Sequence, residues 1–590
     1  MSVPIEDYAI VGDLHTVALV SKGGSIDWLC LPHFDSDATF AALLGTEDHG
    51  RWKLAPVEKV DAVSRNYRPD TLVLETEMAT PSGTIRIIDF MPTRDAHPVL
   101  IRIVEGLEGS VEIKSELRFR FNYGQTKPYV RMLDMGLHVI AGPDGVLVHS
   151  PAETTLEDDQ IVCDLTVKPG DRFAFQITWH RSWEEPPKQQ DPDNALAMCT
   201  AMWRGWAESC THESPYREAV VRSLITLKSL TYQPTGGIIA AATTSLPEQM
   251  GGERNWDYRY CWLRDASVTL AALNREGYTQ EAKHWRDWLL RAVAGDPEQI
   301  QIMYGISGER RLDEYTIDGL PGYANSSPVR IGNAAAGQFQ LDVYGEVMGA
   351  FQFGRESGIQ ANEEGWALQQ ALVEFVESNW NKPDDGIWEV RGDRKHFVYS
   401  KVMAWLAAKS AASACRDYGM PGDPKRWDKL ATKIHKDVCE KGLDKERGCF
   451  TQAYGTNAMD ASLLLMVIVG FLPPDDPRMV ATVREVQKEL STNGFVLRYR
   501  TDATDDGLTG EEGSFVICSF WLVEALAVIG EHDEARVMFE RILDVRNDVG
   551  LLSEEYDAKG HQMLGNMPQA FSHVGLINAA AAVAAGITNK

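Results

Sequence analysis

The sequence has no apolar run long enough to cross a bilayer. Its longest, "SLLLMVIVGFL" and "AAAAVAAGI", fall far short of the roughly 20 residues a spanning helix needs. It also has no CxxC pair and no His/Cys cluster at zinc spacing, its nine cysteines being scattered from Cys30 to Cys518. An odd, dispersed set in a long chain reads as reduced thiols in a cytoplasmic protein, not as a disulfide framework. Positive charge is scarce. Against 85 Asp and Glu stand 58 Lys and Arg, a net charge of −27, which argues against nucleic acid or an anionic membrane as partner. The opening "MSVPIEDYAIVGDLHTVALV" has no basic region and carries acids early, so it does not read as a signal peptide. There is no GxSxG elbow, no Walker P-loop, no GxGxxG after a strand, no HExxH and no EF-hand loop. The fourteen histidines are dispersed, and His396 and His573 read as structural. Nothing here calls for a cofactor or a metal.

What is present is a long chain in two periods. At 590 residues it exceeds what one hydrophobic core usually supports. Residues 1–183 favour period two. In "VEIKSELRFRF" (111–121), Val111, Ile113, Leu117, Phe119 and Phe121 share a face, as do Phe173, Phe175, Ile177 and Trp179 in "DRFAFQITWH" (171–180). Such alternation predicts half-buried antiparallel strands, and with "TLVLETEMAT", "GTIRIIDFMP" and "DGVLVHSP" it points to an N-terminal antiparallel β-sandwich. Residues 184–213 read as a linker, because "EEPPKQQDPDNA" (184–195) is polar and proline-rich without apolar period. From about 196 the period becomes helical, with 214–590 read as the catalytic domain. Ser214-Pro215 reads as an N-cap and first helical residue, followed by the stripe Val220, Leu224, Leu227. Eleven more helices are expected near 264–276, 279–293, 339–357, 363–380, 398–418, 424–440, 459–470, 477–490, 512–529, 533–546 and 568–585. Very apolar segments such as "SFVICSFWLVEALAVIG" alternate with amphipathic ones such as "DEARVMFERIL". Twelve helices in two concentric rings make an all-α (α/α)6 barrel. A helical repeat array would need a fixed sequence period, and none is present.

Three stretches carry chemistry. In "RNWDYRYCWLRDAS" (254–267), Trp256, Tyr258, Tyr260 and Trp262 recur at every second position before Arg264-Asp265 at a helix start. An extended backbone puts four aromatics on one face, a platform for a pyranose ring, beside paired donors and acceptors for sugar hydroxyls. An aromatic core strand with a surface ion pair would carry the same pattern. In "PDDGIWEVRGDRKHF" (383–397) a single carboxylate, Glu389, lies between Trp388 and Val390. Apolar neighbours raise a carboxyl pKa, as a general acid near neutral pH requires, though an exposed loop glutamate would read alike. In "SEEYDAKGHQMLGNMPQAFSH" (553–573) the carboxylates sit among polar groups, where one would stay ionised as a base. An acid in an apolar setting and a base in a polar one form the two-carboxylate arrangement of glycoside hydrolysis.

With these stretches the chain resembles glycoside hydrolase family 15, the glucoamylase-like inverting α-glucosidases, and its pattern is most similar to the bacterial α,α-trehalases of that family. The resemblance runs through "GDLHTVALVSKGGSIDWLCLPHFDSDATFAALL", "TGGIIAAATTSLPEQMGGERNWDYRYCWLRDAS", "PVRIGNAAAGQFQLDVYGE", "GIWEVRG", "VLRYRTDATDDGLTGEEGSFVICSFWLVEAL" and "LGNMPQAFSHVGLINAA". It implies a β-sandwich followed by an (α/α)6 barrel. It places the general acid on Glu389 and the general base on Glu554, with Glu555 where glucoamylases often have glutamine. It places the hydroxyl-holding pair on Arg264 and Asp265, a further subsite arginine on Arg498, and pocket aromatics on Tyr258, Tyr260, Trp262 and Trp388. One departure bears on substrate. Fungal glucoamylases follow the acid with a second glutamate that contacts the sugar beyond the scissile bond, and here that position is Val390, which speaks against a maltose-type acceptor site and is compatible with trehalose.

The activity implied is single-displacement hydrolysis of a small saccharide, trehalose going to two glucoses, with Arg330 and Asn333 as candidates for reading the leaving sugar. The alternatives are a glucoamylase-like α-1,4/α-1,6 glucosidase, an inverting disaccharide phosphorylase, which would not need Glu554, and a catalytically silent sugar-binding protein. Homo-oligomerisation is left open.

Overall fold

A computed structural model describes residues 2–358, 363–504, 506–507, 510 and 512–588. The period-two half forms two antiparallel sheets of eight strands each. The first runs in the order Tyr8–Gly12, Val17–Ser21, Ser25–Cys30, Arg51–Pro56, Val111–Arg118, Gln160–Val167, Thr155–Glu157, with Ala38–Phe40 paired to Ser25–Cys30. The second runs Tyr129–Leu133, Gly136–Ala141, Asp144–His149, Arg172–Arg181, Val99–Gly109, Gly83–Phe90, Leu74–Thr80, Ala62–Tyr67. Alternation sets the faces: in Val111–Arg118, Val111, Ile113, Ser115 and Leu117 are buried while Glu112 is exposed. The two sheets are tied by one buried cation. Arg102, on the second sheet, is fully buried. It donates to Asp89 Oδ1 (2.7 Å) beside it and to the carbonyls of Trp52 and Gly24 in the first sheet region (2.9 Å each).

Helices follow: α1 Pro192–Ala207, α2 Arg217–Ser229, α3 Leu263–Arg275, α4 Thr279–Ala292, α5 Asp342–Glu356, α6 Glu363–Asn379, α7 Val398–Asp417, α8 Pro424–Lys441, α9 Leu465–Ile468, α10 Pro477–Leu490, α11 Val516–Val528, α12 His532–Leu543 and α13 Ala570–Thr588. Their packing follows their composition. Helix α11 is buried nearly all round, and α7 buries fourteen residues, many of them alanine. On α8, Trp427, Leu430, Ala431, Ile434 and Val438 form one buried stripe, as do Ala535, Met538, Phe539 and Ile542 on α12. The apolar helices touch in a cycle: α3 with α5, α5 with α7, α7 with α9, α9 with α11, α11 with α13, and α13 with α3. The amphipathic helices lie against them: α4 on α3, α6 on α5 and α7, α8 on α7, α10 on α11, α12 on α11 and α13, α2 on α13. Gly345 is what lets α5 approach α7, since a Cβ there would lie 2.2 Å from the Met403 carbonyl oxygen.

Three expectations change. The segment 184–213 is not a bare linker, because α1 occupies its middle. One of the three prolines that suggested a linker, Pro192, sits in the first turn, where its missing N–H costs nothing, and the Asp191 carboxylate caps the amides of Asp193 and Asn194. Ser214-Pro215 forms the turn before α2 rather than its cap: Ser214 Oγ accepts from the Tyr216 amide, and the helix begins at Arg217. The helix expected over 459–470 opens as a 3-10 turn, Ala461–Leu464, capped by Asp460, and only Leu465–Ile468 is α-helical. Among the described residues no helix is long and apolar enough to cross a membrane. All nine cysteines are free.

The role of Arg102 is open to measurement. Arg102→Ala leaves Asp89 buried without its counter-charge, and the expected loss of stability is about 3–5 kcal/mol, read from urea unfolding. A loss below about 1 kcal/mol would show that the bridge between the sheets contributes little.

Candidate active site

The stretch 254–265 is organised by a buried ion pair. Asp257 and Arg259 are both 0% exposed and meet through two bonds, Nε to Oδ1 at 2.8 Å and Nη2 to Oδ2 at 2.7 Å. The remaining donors of Arg259 reach back into the N-terminal half, to the Ser36 carbonyl (2.9 Å) and the Tyr123 hydroxyl (2.8 Å). Asp257 in turn receives the Gly332 amide. Strand pairing holds Asn255–Asp257 and Cys261–Trp262, but residues 258–260 between them are not in a strand. The four aromatics therefore do not share one face. Trp256, Tyr258 and Trp262 line a pocket of about 740 Å³, mouth included. Tyr260 does not; it is buried beside Asp257 and Arg259.

Trp262 ends the extended segment as the residue before α3, which places Arg264 and Asp265 in the first helical turn, on the pocket wall. Arg264 is held from three sides: Asp265 Oδ2 at 3.1 Å, the Ile387 carbonyl at 2.6 Å, and the Phe571 ring 5.1 Å from its Cζ. Burial alone would favour its neutral form, but Asp265, Glu389, Asp342 and Glu346 outweigh burial and raise its pKa, so it stays charged.

Glu389 faces it across the pocket. Its Oε1 accepts from Trp262 Nε1 at 2.6 Å and lies 3.8 Å from Arg264 Nη2. The backbone at Glu389 is left-handed, with φ of 58°, and is fixed by a bond from its amide to the Gly386 carbonyl and by Gln338 Nε2, which donates to the carbonyls of Glu389 and Val390. Burial raises the Glu389 pKa, and Arg264 and the Trp262 N–H oppose the rise. Trp388, before it, donates Nε1 to Asp460 (2.9 Å), while Val390, after it, packs with Phe397 and Ala453.

Glu554 and Glu555 stand at a small sheet of Ser514–Phe515, Glu555–Asp557 and Gln562–Leu564. Successive side chains there face opposite ways, which separates the two glutamates. Glu554 turns to Asn566, whose amide donates to its Oε2 at 3.2 Å; among the described residues its Oε1 has no hydrogen-bond donor. Glu555 turns to the Gly513 amide (2.8 Å) and lies 3.7 Å from Arg498. The expectation that polar neighbours would leave the base ionised is corrected here. Both glutamates are 0% exposed. The Glu554 carboxyl is pushed up to about 8, first by burial and then by the charge of Glu248, against Arg498, the Tyr258 hydroxyl and the Asn566 amide. It does not form the pocket wall itself but lies beside Tyr258, which does.

Of the other residues read from the sequence, Asn333 and Arg498 line the pocket and Arg330 does not. Asn333 caps a short 3-10 turn, its Oδ1 accepting from the Ala335 amide. Arg330 donates to the carbonyls of Glu253 and Asn255 and stacks behind Trp256, 4.5 Å from ring to Cζ. Arg391 also lies over the Trp256 ring, at 4.3 Å, on the pocket wall and paired with Glu314 at 3.1 Å. Sequence reasoning missed Arg391, although it directly follows "IWEV". It also missed Glu248, Arg254, Tyr499, Asp506, Gln569 and Phe571, which line the pocket. Glu248 lies inside the quoted block "TTSLPEQMGGERNWD", but a lone glutamate beside proline carried no chemical signal.

Two regions of the chain match known families: residues 214–581 match Glycosyl hydrolases family 15, and residues 1–164 match "Trehalase-like, N-terminal". The chain is 38% identical to a trehalase of Mycobacterium tuberculosis over 98% of this chain and 89% of that one. It is 36% identical to a trehalase of Thermoplasma volcanium over 98% and 93%. An isomaltose glucohydrolase of Kribbella flavida is 26% identical over 55% of this chain and 79% of its own. In three dimensions the chain superposes on a bacterial glucoamylase complexed with acarbose with a TM-score of 0.75, covering 99% of this chain and 94% of that one at 14% identity, a likeness of fold.

Trp262 offers a direct test of the electrostatics. Trp262→Phe removes the N–H that stabilises the Glu389 carboxylate, so the pKa of Glu389 should rise further and the alkaline limb of kcat/KM should move to higher pH. An alkaline limb left in place would show that Glu389 does not set it.

Proposed function

Because the chain belongs to glycosyl hydrolase family 15, we propose that it is an inverting, exo-acting α-glucoside hydrolase whose substrate is α,α-trehalose. That it is a glycoside hydrolase follows from the family; the residue roles and the stereochemistry are our reading. One observation carries that reading: Glu389 lies on the wall of a pocket shared with charged Arg264, Asp265 and the aromatics Trp256, Tyr258, Trp262 and Trp388, and Glu554 stands beside Tyr258 on a separate element, both glutamates with raised proton affinity. The cycle of apolar helices with amphipathic partners outside supports an (α/α)6 barrel, and the two N-terminal sheets support a sandwich over 1–183, with 214–590 as the catalytic region. Free, mostly buried cysteines favour a reducing compartment, hence the cytoplasm.

In this reading a glucose ring enters between Trp262, Tyr258 and Trp388, and Arg264 with Asp265 holds its hydroxyls. Glu389, its proton affinity raised by burial, gives its proton to the glycosidic oxygen as the bond to the anomeric carbon breaks. A water on the opposite face gives its proton to Glu554 Oε1 as its oxygen bonds to that carbon. The attacking side is inverted, so one product is β-glucose and the leaving sugar departs as α-glucose. The leaving sugar faces the rim. There Val390 offers only apolar surface, and Arg391, braced by Glu314 and Trp256, offers the donors a hydroxyl-rich acceptor needs.

The second carboxylate separates this reading from a phosphorylase, and the filled set of acid, base and arginines separates it from a silent binding protein. A panel of trehalose, maltose and isomaltose, with the product anomer followed by NMR, tests substrate and stereochemistry together. Trehalose should be turned over with β-glucose among the first products. Turnover of maltose or isomaltose with none of trehalose would replace the trehalase reading with the glucoamylase-like one, and glucose 1-phosphate would reveal a phosphorylase. Glu389→Gln and Glu554→Gln should each lower kcat by at least about 100-fold. Full activity in Glu554→Gln with loss in Glu555→Gln would move the base by one residue.

A further inference from the structure

Behind the pocket lies a second, polar cavity of about 1360 Å³, mouth included, and Glu248 and Tyr499 belong to the walls of both. Glu248 follows the strand Thr244–Pro247 and is 1% exposed. Its Oε1 accepts from Trp256 Nε1 at 3.0 Å and its Oε2 from Arg498 Nη2 at 2.7 Å. The same guanidinium donates to Glu512, and carboxylate oxygens of Glu248, Glu512 and Glu555 lie within 4.8 Å of one another. Arg254 adds its charge to Asp506 (2.8 Å) and Glu512 (3.6 Å). Five carboxylates, counting Glu554, therefore share two guanidiniums in a desolvated partition. Arg498 makes its hydrogen bonds to Glu248 and Glu512, none to Glu554.

We propose that Glu248 is a positioning residue for the reaction: its buried charge, and its hold on Arg498, keep Glu554 a strong enough base to take the proton of the attacking water. Two effects act in the same direction. The Glu248 carboxylate repels a charge on Glu554, so the protonated form is favoured. It also claims the one guanidinium that would otherwise turn to Glu554 and weaken it as a base. The groups facing Glu554 are Glu248 and Arg498 from neighbouring loops, Tyr258 from the pocket wall, the Asn566 amide, and Glu555 beside it in sequence; Glu248 is the largest charge among them acting to raise its proton affinity. The proposal rests on Glu554 as the base.

The test is the pH profile of kcat/KM for Glu248→Gln and Glu248→Asp on trehalose. Glu248→Gln should move the acid limb to lower pH by about one unit or more, and kcat above that limb should fall several-fold because a weaker base accepts the proton less readily. Glu248→Asp, which keeps the charge, should return the limb toward that of the parent protein. Glu512→Gln, which removes a rival for Arg498, should move the limb in the same direction and serves where Glu248→Gln does not fold. An unmoved limb in the folded variants, with only KM raised, would reduce Glu248 to a bracket for Arg498 and overturn the proposal. An inactive Glu554→Gln alongside that unmoved limb would leave the base in place and remove only its tuning. A fully active Glu554→Gln would remove the base and the tuning together.

Discussion

The buried pair of Asp257 and Arg259 is the constraint from which the site follows. A guanidinium with no exposed surface must spend every donor on the protein, and the donors of Arg259 are divided between Asp257, two residues before it, and Cys30, Ser36 and Tyr123 of the N-terminal half. That division pins Asp257 and Arg259 against the N-terminal half while Trp256, Tyr258 and Trp262 line the pocket. Tyr260 is the aromatic of the run that is drawn away with the pair. The N-terminal half is thus part of the site's foundation, a role reinforced by Trp28, whose indole donates to the Ala242 carbonyl, and by Arg65, which grips Asp548 a few residues before the two glutamates.

The second theme is charge held where water cannot reach it. Burial raises the proton affinity of Glu248, Glu389, Glu554 and Glu555, and the nearby arginines do not cancel the effect. The two catalytic candidates differ in what else they meet. Glu389 has a guanidinium 3.8 Å away and an indole N–H on the oxygen that faces it. Glu554 has mainly like charge nearby and one oxygen with no donor among the described residues. The environment that disfavours each charge is what makes two ordinary glutamates chemically distinct, so acid and base roles are matters of surroundings more than of residue type.

Much of the architecture was legible in the sequence because it is written in period. Alternation in Val111–Arg118 and the stripe on α8 are direct consequences of which face is buried, and they survive any change of tertiary detail. The helix α1 escaped notice because Pro192 and its acidic neighbours are as typical of a capped helix start as of a linker, and the apolar face behind them, with Trp203 fully buried, is short. Within the site, the motif residues on short local elements, such as Arg264, Asp265, Trp388 and Glu389, could be read in advance. Tyr260 could not, because its direction depends on an ion pair whose partners lie 223 and 136 residues away. Glu248 and Arg391 escaped for a related reason: each owes its place to neighbours distant in sequence, Arg498 for one and Glu314 and Trp256 for the other. The ionised state expected for Glu554 failed because burial and the charge of Glu248, distant in sequence, outweigh the polar groups beside it along the chain.

The left-handed backbone at Glu389 has an evolutionary side. A non-glycine residue in that region costs on the order of 1 kcal/mol, which glycine would not incur. A library screened for thermal tolerance alone should therefore enrich glycine at position 389, whatever that change does to turnover. The side chain there carries a backbone cost that glycine would not, so selection for stability and a role as acid would pull this position in opposite directions.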